Sequence, residues 1–431
     1  MEKLVSIRID DTLYISNSVP FVLAVTKSKL DIDYFNYERD FSSIIKGLNH
    51  YTRSIPLANN RSLNLYYYCN VMVDKNLNIE SEPKQSQEPV KSFEQYYMEL
   101  LTSVKAINEN ATASNRKQTY GLVSTISSGY DAAACSVVAK QIGCKKVLTF
   151  NAPEKYAIDS GEELAKKLGF TDIVTKNANT YLKREDYVEA EHVSSGELGT
   201  TIIFSAFEDE FRNNIVFYGE RGDKLWNKNW ECPNNYFDFT GELFAGISMA
   251  EYRLRVGFIL LPLPLFKASV WESIHKVSNS IEMQPWSIGG NYDRPIPRRI
   301  VEESGIERQM FGQEKKGAGF NYHFDNLSYL KTRMSAISFE DFSVFYKCNK
   351  RKGHFRKILF FYFRELPMYM NYIMKKAGLK YRFNLAKKER INNPGAPSYL
   401  INWGVEKVKE KYLGGIRNNE KYTFVECRYK E

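Results

Sequence analysis

The sequence predicts an α/β fold: a parallel sheet with helices on both faces, preceded by a small β-rich N-terminal domain and followed by a helical, basic C-terminal region. Three observations carry that expectation. From Thr119 onward, short apolar strands alternate with helical patterns of ten or so residues, the signature of right-handed βαβ units. The first 80 residues alternate apolar and polar positions in short runs instead. Beyond residue 240 the pattern is mostly helical, and from Lys350 to Arg390 it carries 13 Lys and Arg against two acidic residues.

Taken in chain order, "LVSIRID", "TLYISNS" and "SLNLYYYCNVMV" read as half-buried strands of a domain spanning residues 1–80. "SEPKQSQEPVKS" has two prolines and almost no apolar residue, so 81–92 reads as a linker. "FEQYYMELLTSVKAIN" then places Phe93, Tyr97, Leu100, Leu101, Val104 and Ile107 at helical spacing and opens a domain over 93–330. Within it, "TYGLVSTIS" leads into "YDAAACSVVAKQIG", and "KKVLTFN" into "SGEELAKKLGF". "TDIVTKN" and "NNIVFYGERGDKLW" supply two further strands. Residues 331–431 form the basic, aromatic-rich helical region. Its basic stretch reads either as a solvated helix face or as a docking surface for RNA, a carrier protein or an anionic membrane.

Composition narrows the classes. With 431 residues, 43% hydrophobic and 14% aromatic, the chain can bury a large core and does not resemble a disordered one. Six cysteines, at 69, 135, 144, 232, 348 and 427, form no CxxC pair, so neither zinc nor a disulfide framework is indicated and a reducing compartment fits. The longest apolar run, "VGFILLPLPLF", is too short and too broken by proline to cross a bilayer. No secretory signal opens the chain, so a cytoplasmic protein is expected. The histidines at 50, 192, 275, 323 and 354 form no spaced pair.

Chemistry is expected in the loops after the strands, because ligands of such sheets sit at the strands' carboxyl ends. In "STISSGYDAAACS" a strand ends near Ser127, a Ser-Gly turn follows, and Asp131 stands at the start of an Ala-rich helix. Short side chains at Ser127, Ser128 and Gly129 let backbone N–H groups approach an anion at a helix N-terminus. Asp131 serves either as the helix N-cap or as a metal ligand. A later strand ends in Gly219, Glu220, Gly222 and Asp223. Two such loops would bring Asp131 and Asp223 toward one site, where two carboxylates facing a polyphosphate suit Mg²⁺.

These motifs resemble those of the asparagine synthetase and β-lactam synthetase family. "SSGYDA" is similar to the SGGxDS pyrophosphate loop of N-type ATP pyrophosphatases, and "YGERGDKLW" resembles the family's SGxGADE motif. "DSGEELAKKLGF", "EYRLRVGFILLPLPLF" and "RPIPRRIVEESGIERQMFGQEKKG" resemble later segments in the family's order, so the likeness covers about residues 93–320. The resemblance implies a PP-loop fold of the adenine nucleotide alpha hydrolase type, binding ATP and Mg²⁺. It implies ATP contacts at Val123, Ser124, Ser127, Ser128, Gly129, Tyr130, Asp131, Phe150, Gly219 and Glu220. Mg²⁺ would lie on Asp131 and Asp223, and Lys315 or Lys316 would stabilise the charged transition state. The implied activity is an AMP-forming amide ligase: ATP adenylates a carboxylate on a small molecule, a sugar acid or a peptide, and an amine or ammonia displaces AMP.

The chain departs from the family at Ser128, where a loop glycine is usual and a positive φ would be strained. Ala132 removes a phosphate hydrogen bond of about 1–2 kcal/mol. Lys224 replaces an acid after Asp223, and Glu2 stands where glutamine-dependent members carry a cysteine nucleophile. Residues 1–80 therefore resemble a shortened glutaminase remnant, and ammonia would come from solution, from a partner protein or as an amine of the substrate. Two other readings stand beside this one: a degenerate nucleotide-binding scaffold, and a tRNA-modifying pyrophosphatase using the basic region. Nucleic acid is not the expected partner.

Overall fold

A computed structural model describes residues 3–34, 36–85, 87–151, 160–197, 201–229, 248–313, 327–350, 361–379, 383 and 396–417. Lys315 and Lys316 lie outside the described residues, as do Asp159 and His323.

Strands β1 (Lys3–Ile9), β2 (Thr12–Ser16), β3 (Ser54–Pro56) and β4 (Ser62–Tyr67) form an antiparallel sheet in the order β2-β1-β4-β3. The period of two is visible in what it buries: Val5 and Ile7 on β1, and Leu63, Leu65 and Tyr67 on β4, all point into the core. β5 (Cys69–Val73) and β6 (Ile79–Pro83) make a separate hairpin, so the first residues of the predicted linker belong to a strand. Farther along 81–92, Glu88 and Val90 are tied down. Lys267 Nζ donates to Glu88 O at 2.7 Å, Val90 N donates to Ser273 Oγ at 3.1 Å, and the Val90 side chain is buried.

The second sheet is parallel throughout. It contains β7 (Gly121–Thr125), β8 (Lys146–Asn151), β9 (Asp172–Asn177), β10 (Asn214–Tyr218) and β11 (Ile259–Pro262), in the order β11-β10-β7-β8-β9. Successive residues enter opposite cores. Val123, Leu148 and Val216 join one hydrophobic cluster, while Val147, Ile215 and Phe217 join the other. That explains the near-continuous apolar strands, since a sheet covered on both faces has no polar side. β11 was hidden in a segment read as helical; its apolar residues 259–261 are followed by Pro262, tolerated because this is an edge strand.

Helices cover one face: Phe93–Thr112, Tyr130–Gln141 and Pro295–Glu302 contribute Leu100, Val137 and Ile300 to its cluster. Phe93–Thr112 buries Tyr96 rather than Tyr97, and Ile107 is exposed, because Tyr96 OH accepts a hydrogen bond from Trp226 Nε1 at 2.9 Å in the core. The cluster on the other face unites all three predicted regions, for example Leu65, Val216 and Trp403. Helix Ala396–Arg417 ties them together: Lys409 Nζ donates to Ser28 O at 3.2 Å, and Tyr412 OH to Glu251 Oε2 at 2.8 Å.

Candidate functional site

In chain order the five parallel strands are first (β7) to fifth (β11), so the sheet reads 3-2-1-4-5 from the β9 edge, and the order reverses between β7 and β10. A crevice forms at the carboxyl ends of such a strand pair, where flanking connections leave in opposite directions. The loop after β7 carries Ser127 to Asp131, and the loop after β10 carries Gly219 to Asp223. Both predicted loops thus open at the same point of the sheet.

They also touch. A Cβ on Gly219 would lie 2.6 Å from Ala132 N, and one on Gly222 would lie 2.3 Å from Asp131 Cγ. Side chains at these two positions would push the loops apart, so glycine here is a packing requirement rather than a turn preference. From the other side Gly161, the N-cap of helix Glu162–Lys167, brings its Cα against Ile126, where a Cβ would be 2.8 Å from the backbone carbon. Ser127 bridges to Ser160, and Gly312 N donates to Ser128 O at 2.8 Å. The first loop is therefore clamped by backbone on several sides.

Its local conformation corrects one expectation. The N-cap of helix Tyr130–Gln141 is Gly129, in extended conformation, and Asp131 is the second helical residue. Asp131 is consequently not the cap, and its carboxylate turns to other partners. Gly129 N instead donates to Ser127 Oγ at 3.2 Å. Ser128 does not adopt a positive φ, so replacing glycine there strains nothing.

Asp131 Oδ2 accepts a charge-assisted hydrogen bond from Arg294 Nη1, while Oδ1 is buried with no hydrogen-bond partner. Burial pushes its carboxyl up to about 6; Arg294 opposes the shift, and the charges of Asp223 and Glu220 add to it. Glu220 is also raised, first by burial, and its Oε2 accepts from Tyr218 OH at 2.9 Å. Three carboxylates thus crowd one crevice with an incompletely satisfied oxygen among them. Among the described residues no group of three or more His, Cys, Asp or Glu is arranged to hold a metal. A cation here would need oxygens from its ligand as well as from the protein.

No protein-family model matches this chain. No curated protein matches it either. The site has therefore to be read from its own geometry.

The remaining predicted residues divide by exposure. Val123 and Ser124 are fully buried in β7, where Ser124 Oγ shares a hydrogen bond with Ser136 Oγ at 2.9 Å, so neither side chain can reach a ligand. Tyr130 is likewise buried: its ring packs on Phe311 and Tyr292, and its hydroxyl accepts from Arg298. These three were expected as ATP contacts, and their side chains serve the core because each lies on the inner side of the strand or helix. Ser127, Ser128, Gly129, Asp131, Gly219, Glu220 and Asp223 are all partly accessible. Phe150, at the end of β8, is partly buried against Phe204 and Phe207.

Sequence reasoning missed the arginines' role. The sequence assigned no role to Arg294, Arg298 and Arg299, yet Arg298 is fully buried, with its guanidinium 4.8 Å from the Tyr130 ring centre and a 3.0 Å bond to Glu302. Arg299 lies 4.1 Å over Phe93 and bonds Glu303 at 2.7 Å. Arg294, 4% exposed, stands 4.7 Å over Tyr292 and reaches the crevice. The available signal was "DRPIPRR": Pro295 and Pro297 start a helix within one turn, fixing all three arginines on a rigid element.

Proposed function

We propose that the chain is an ATP-dependent, AMP-forming amide ligase, with the triphosphate lying in the crevice between the loops after β7 and β10. The observation that carries this reading is the buried, partnerless Asp131 Oδ1, set beside Asp223 and Glu220 by Gly219 and Gly222. An isolated helix cap would not need a second glycine loop pressed against it, nor would it gather carboxylates that repel one another.

Mg²⁺ fits these residues. Asp131 and Asp223 would hold it, and when bound it would supply positive charge to the leaving pyrophosphate. The chain's own groups do the rest. N–H groups at the start of helix Tyr130–Gln141 donate to phosphate oxygens, Arg294 fixes the Asp131 carboxylate, and the buried Tyr130 and Phe311 keep water from the loop's rear. A substrate carboxylate oxygen attacks the α-phosphorus, and the bond to the pyrophosphate oxygen breaks with its electron pair. A nitrogen lone pair then attacks the acyl carbon, and AMP departs with the carbon–oxygen electrons while the nitrogen loses a proton. The nitrogen comes as ammonia, from a partner protein, or as an amine of the substrate. The carboxylate belongs to a small molecule, a sugar acid or a peptide.

A second reading, a nucleotide-binding scaffold without catalysis, is favoured by Arg294, which already neutralises one oxygen of Asp131. Pyrophosphate release from ATP and Mg²⁺, measured with a panel of carboxylic acids with and without ammonium, separates the two. The ligase reading predicts acid-dependent release that is lost in Asp131→Asn. ATP binding without release under every condition selects the scaffold, and release that survives Asp131→Asn unchanged removes Asp131 from the chemistry.

A further inference from the structure

A π-helical turn, Phe361–Glu365, runs directly into helix Leu366–Lys376. Between Phe361 and Leu379, nine large apolar or aromatic side chains are more than a third exposed, led by Tyr369 at 62% and Tyr362 at 59%. Soluble surfaces scatter such residues singly, and a contiguous run marks an interaction surface. The helix has one polar residue between Leu366 and Met374, Asn371, and that side chain is spent on its own chain. Asn371 Nδ2 donates to Phe383 O at 2.9 Å, and Phe383 N donates to Asn371 Oδ1 at 2.6 Å. Helical spacing puts Tyr369 and Ile373 on the side opposite Asn371, with Tyr372 and Lys376 flanking them. Lys376 Nζ lies 5.1 Å from the Tyr372 ring centre, so the charge sits beside the apolar face.

We propose that residues 361–379 are a membrane-surface anchor that lays this aromatic face into the interface of an anionic lipid bilayer. Three facts select that occupant. The charge is complementary: 13 Lys and Arg against two acidic residues from Lys350 to Arg390 attract an anionic leaflet and repel a second copy of the same segment. The exposed set mixes Tyr and Phe with Met368, Met370 and Ile373, which suit an acyl boundary, whereas nucleic-acid surfaces are polar. The length is wrong for spanning: 11 helical residues rise about 16 Å, against about 30 Å of hydrocarbon. No helix among the described residues is long and apolar enough to cross a membrane. The segment therefore lies on the surface, with Lys376 snorkelling toward headgroups. This proposal is independent of the ligase reading.

The test is co-sedimentation of the full chain with phosphatidylcholine vesicles, with and without phosphatidylserine, at low and high salt. The expected result is sedimentation with the phosphatidylserine vesicles, weakened by salt. Tyr369→Ser with Ile373→Ser lowers the partition coefficient at least about tenfold, and Tyr369→Phe with Ile373→Leu retains it. Both sites are exposed, so an unchanged melting temperature confirms that each variant is folded. Failure of the wild-type chain to sediment overturns the proposal, as does equal sedimentation of the serine variant. A concentration-dependent dimer abolished by the serine variant, without vesicle binding, assigns the face to a second copy instead. Retention of an RNA oligonucleotide with no vesicle binding also overturns it.

Discussion

Two carboxylates, the buried Glu197 and the partly accessible Asp131, show how one residue class is put to different uses. Glu197 accepts from Ser248 N at 2.9 Å, from Met249 N at 3.2 Å and from Ser248 Oγ, all at the start of helix Ala250–Val256. Burial pushes its carboxyl up, the Ser248 hydrogen bonds and the Lys3 charge act to lower it, and the group ends below its ordinary value. Asp131 has one arginine and an oxygen without a partner, and ends above its ordinary value. A carboxylate whose oxygens are filled by backbone donors is structural. On the proposed reading, Asp131, left short of donors beside two other carboxylates, takes a cation and its ligand.

The largest expected effect comes from breaking the ion pair between Asp131 and Arg294. Arg294→Ala leaves the partly accessible Asp131 carboxylate without its guanidinium and should lower stability by about 1.5–3 kcal/mol, measured by denaturant unfolding at neutral pH. The loss should shrink below pH 6, where Asp131 takes up a proton. Gly219→Ala comes next: its Cβ meets backbone, which cannot rotate away, so about 1–3 kcal/mol should be lost. Nucleotide binding should fall with it, because the two loops must separate. Retained binding with unchanged stability would mean that the loops are not held together as described.

Smaller effects sharpen the contrast through pH. The folded Glu197 carboxyl lies below 4.5, so its stabilisation is present above that value and is lost as pH falls through the folded pKa. Glu197→Gln should therefore cost about 1–2 kcal/mol at pH 7, with the deficit closing in acid. Glu251, in the same seam, behaves oppositely. Burial raises it from 4.5 to about 7, against hydrogen bonds from Ser18 and Tyr412. Its contribution is full below 4.5 and is lost as pH rises through about 7, so Glu251→Gln should gain stability over the wild type above pH 7 and match it in acid. Thermal midpoints across pH 4–9 for both variants check the pair of signs.

Sequence patterning carried the parallel sheet because strands buried on both faces are near-continuous apolar runs, and β7, β8 and β10 are of that kind, while the edge strand β9 keeps Ile173 and Val174 only partly buried. β11 escaped because prolines at 262 and 264 and a preceding helical pattern masked four strand residues. Within the site, the glycines and aspartates at the strand ends were legible, since their spacing reflects the loops themselves. Arg294 was not, because its partner lies 163 positions away, and no local pattern encodes which carboxylate a buried guanidinium will meet. The fate of Tyr130 was equally hidden: Gly312, at φ +62, presses on its ring from a distant loop and turns a presumed ligand contact into core.

On the proposed reading Asp131 is held ready for a metal–nucleotide complex. Isothermal titration with a non-hydrolysable ATP analogue and Mg²⁺, on the wild type and on Asp131→Asn, tests it most directly. The account predicts binding by the wild type that depends on Mg²⁺, weakens as pH falls through about 6, and drops at least about tenfold in Asp131→Asn. Equal affinity in the two proteins, or no Mg²⁺-dependent binding to the wild type, would contradict it.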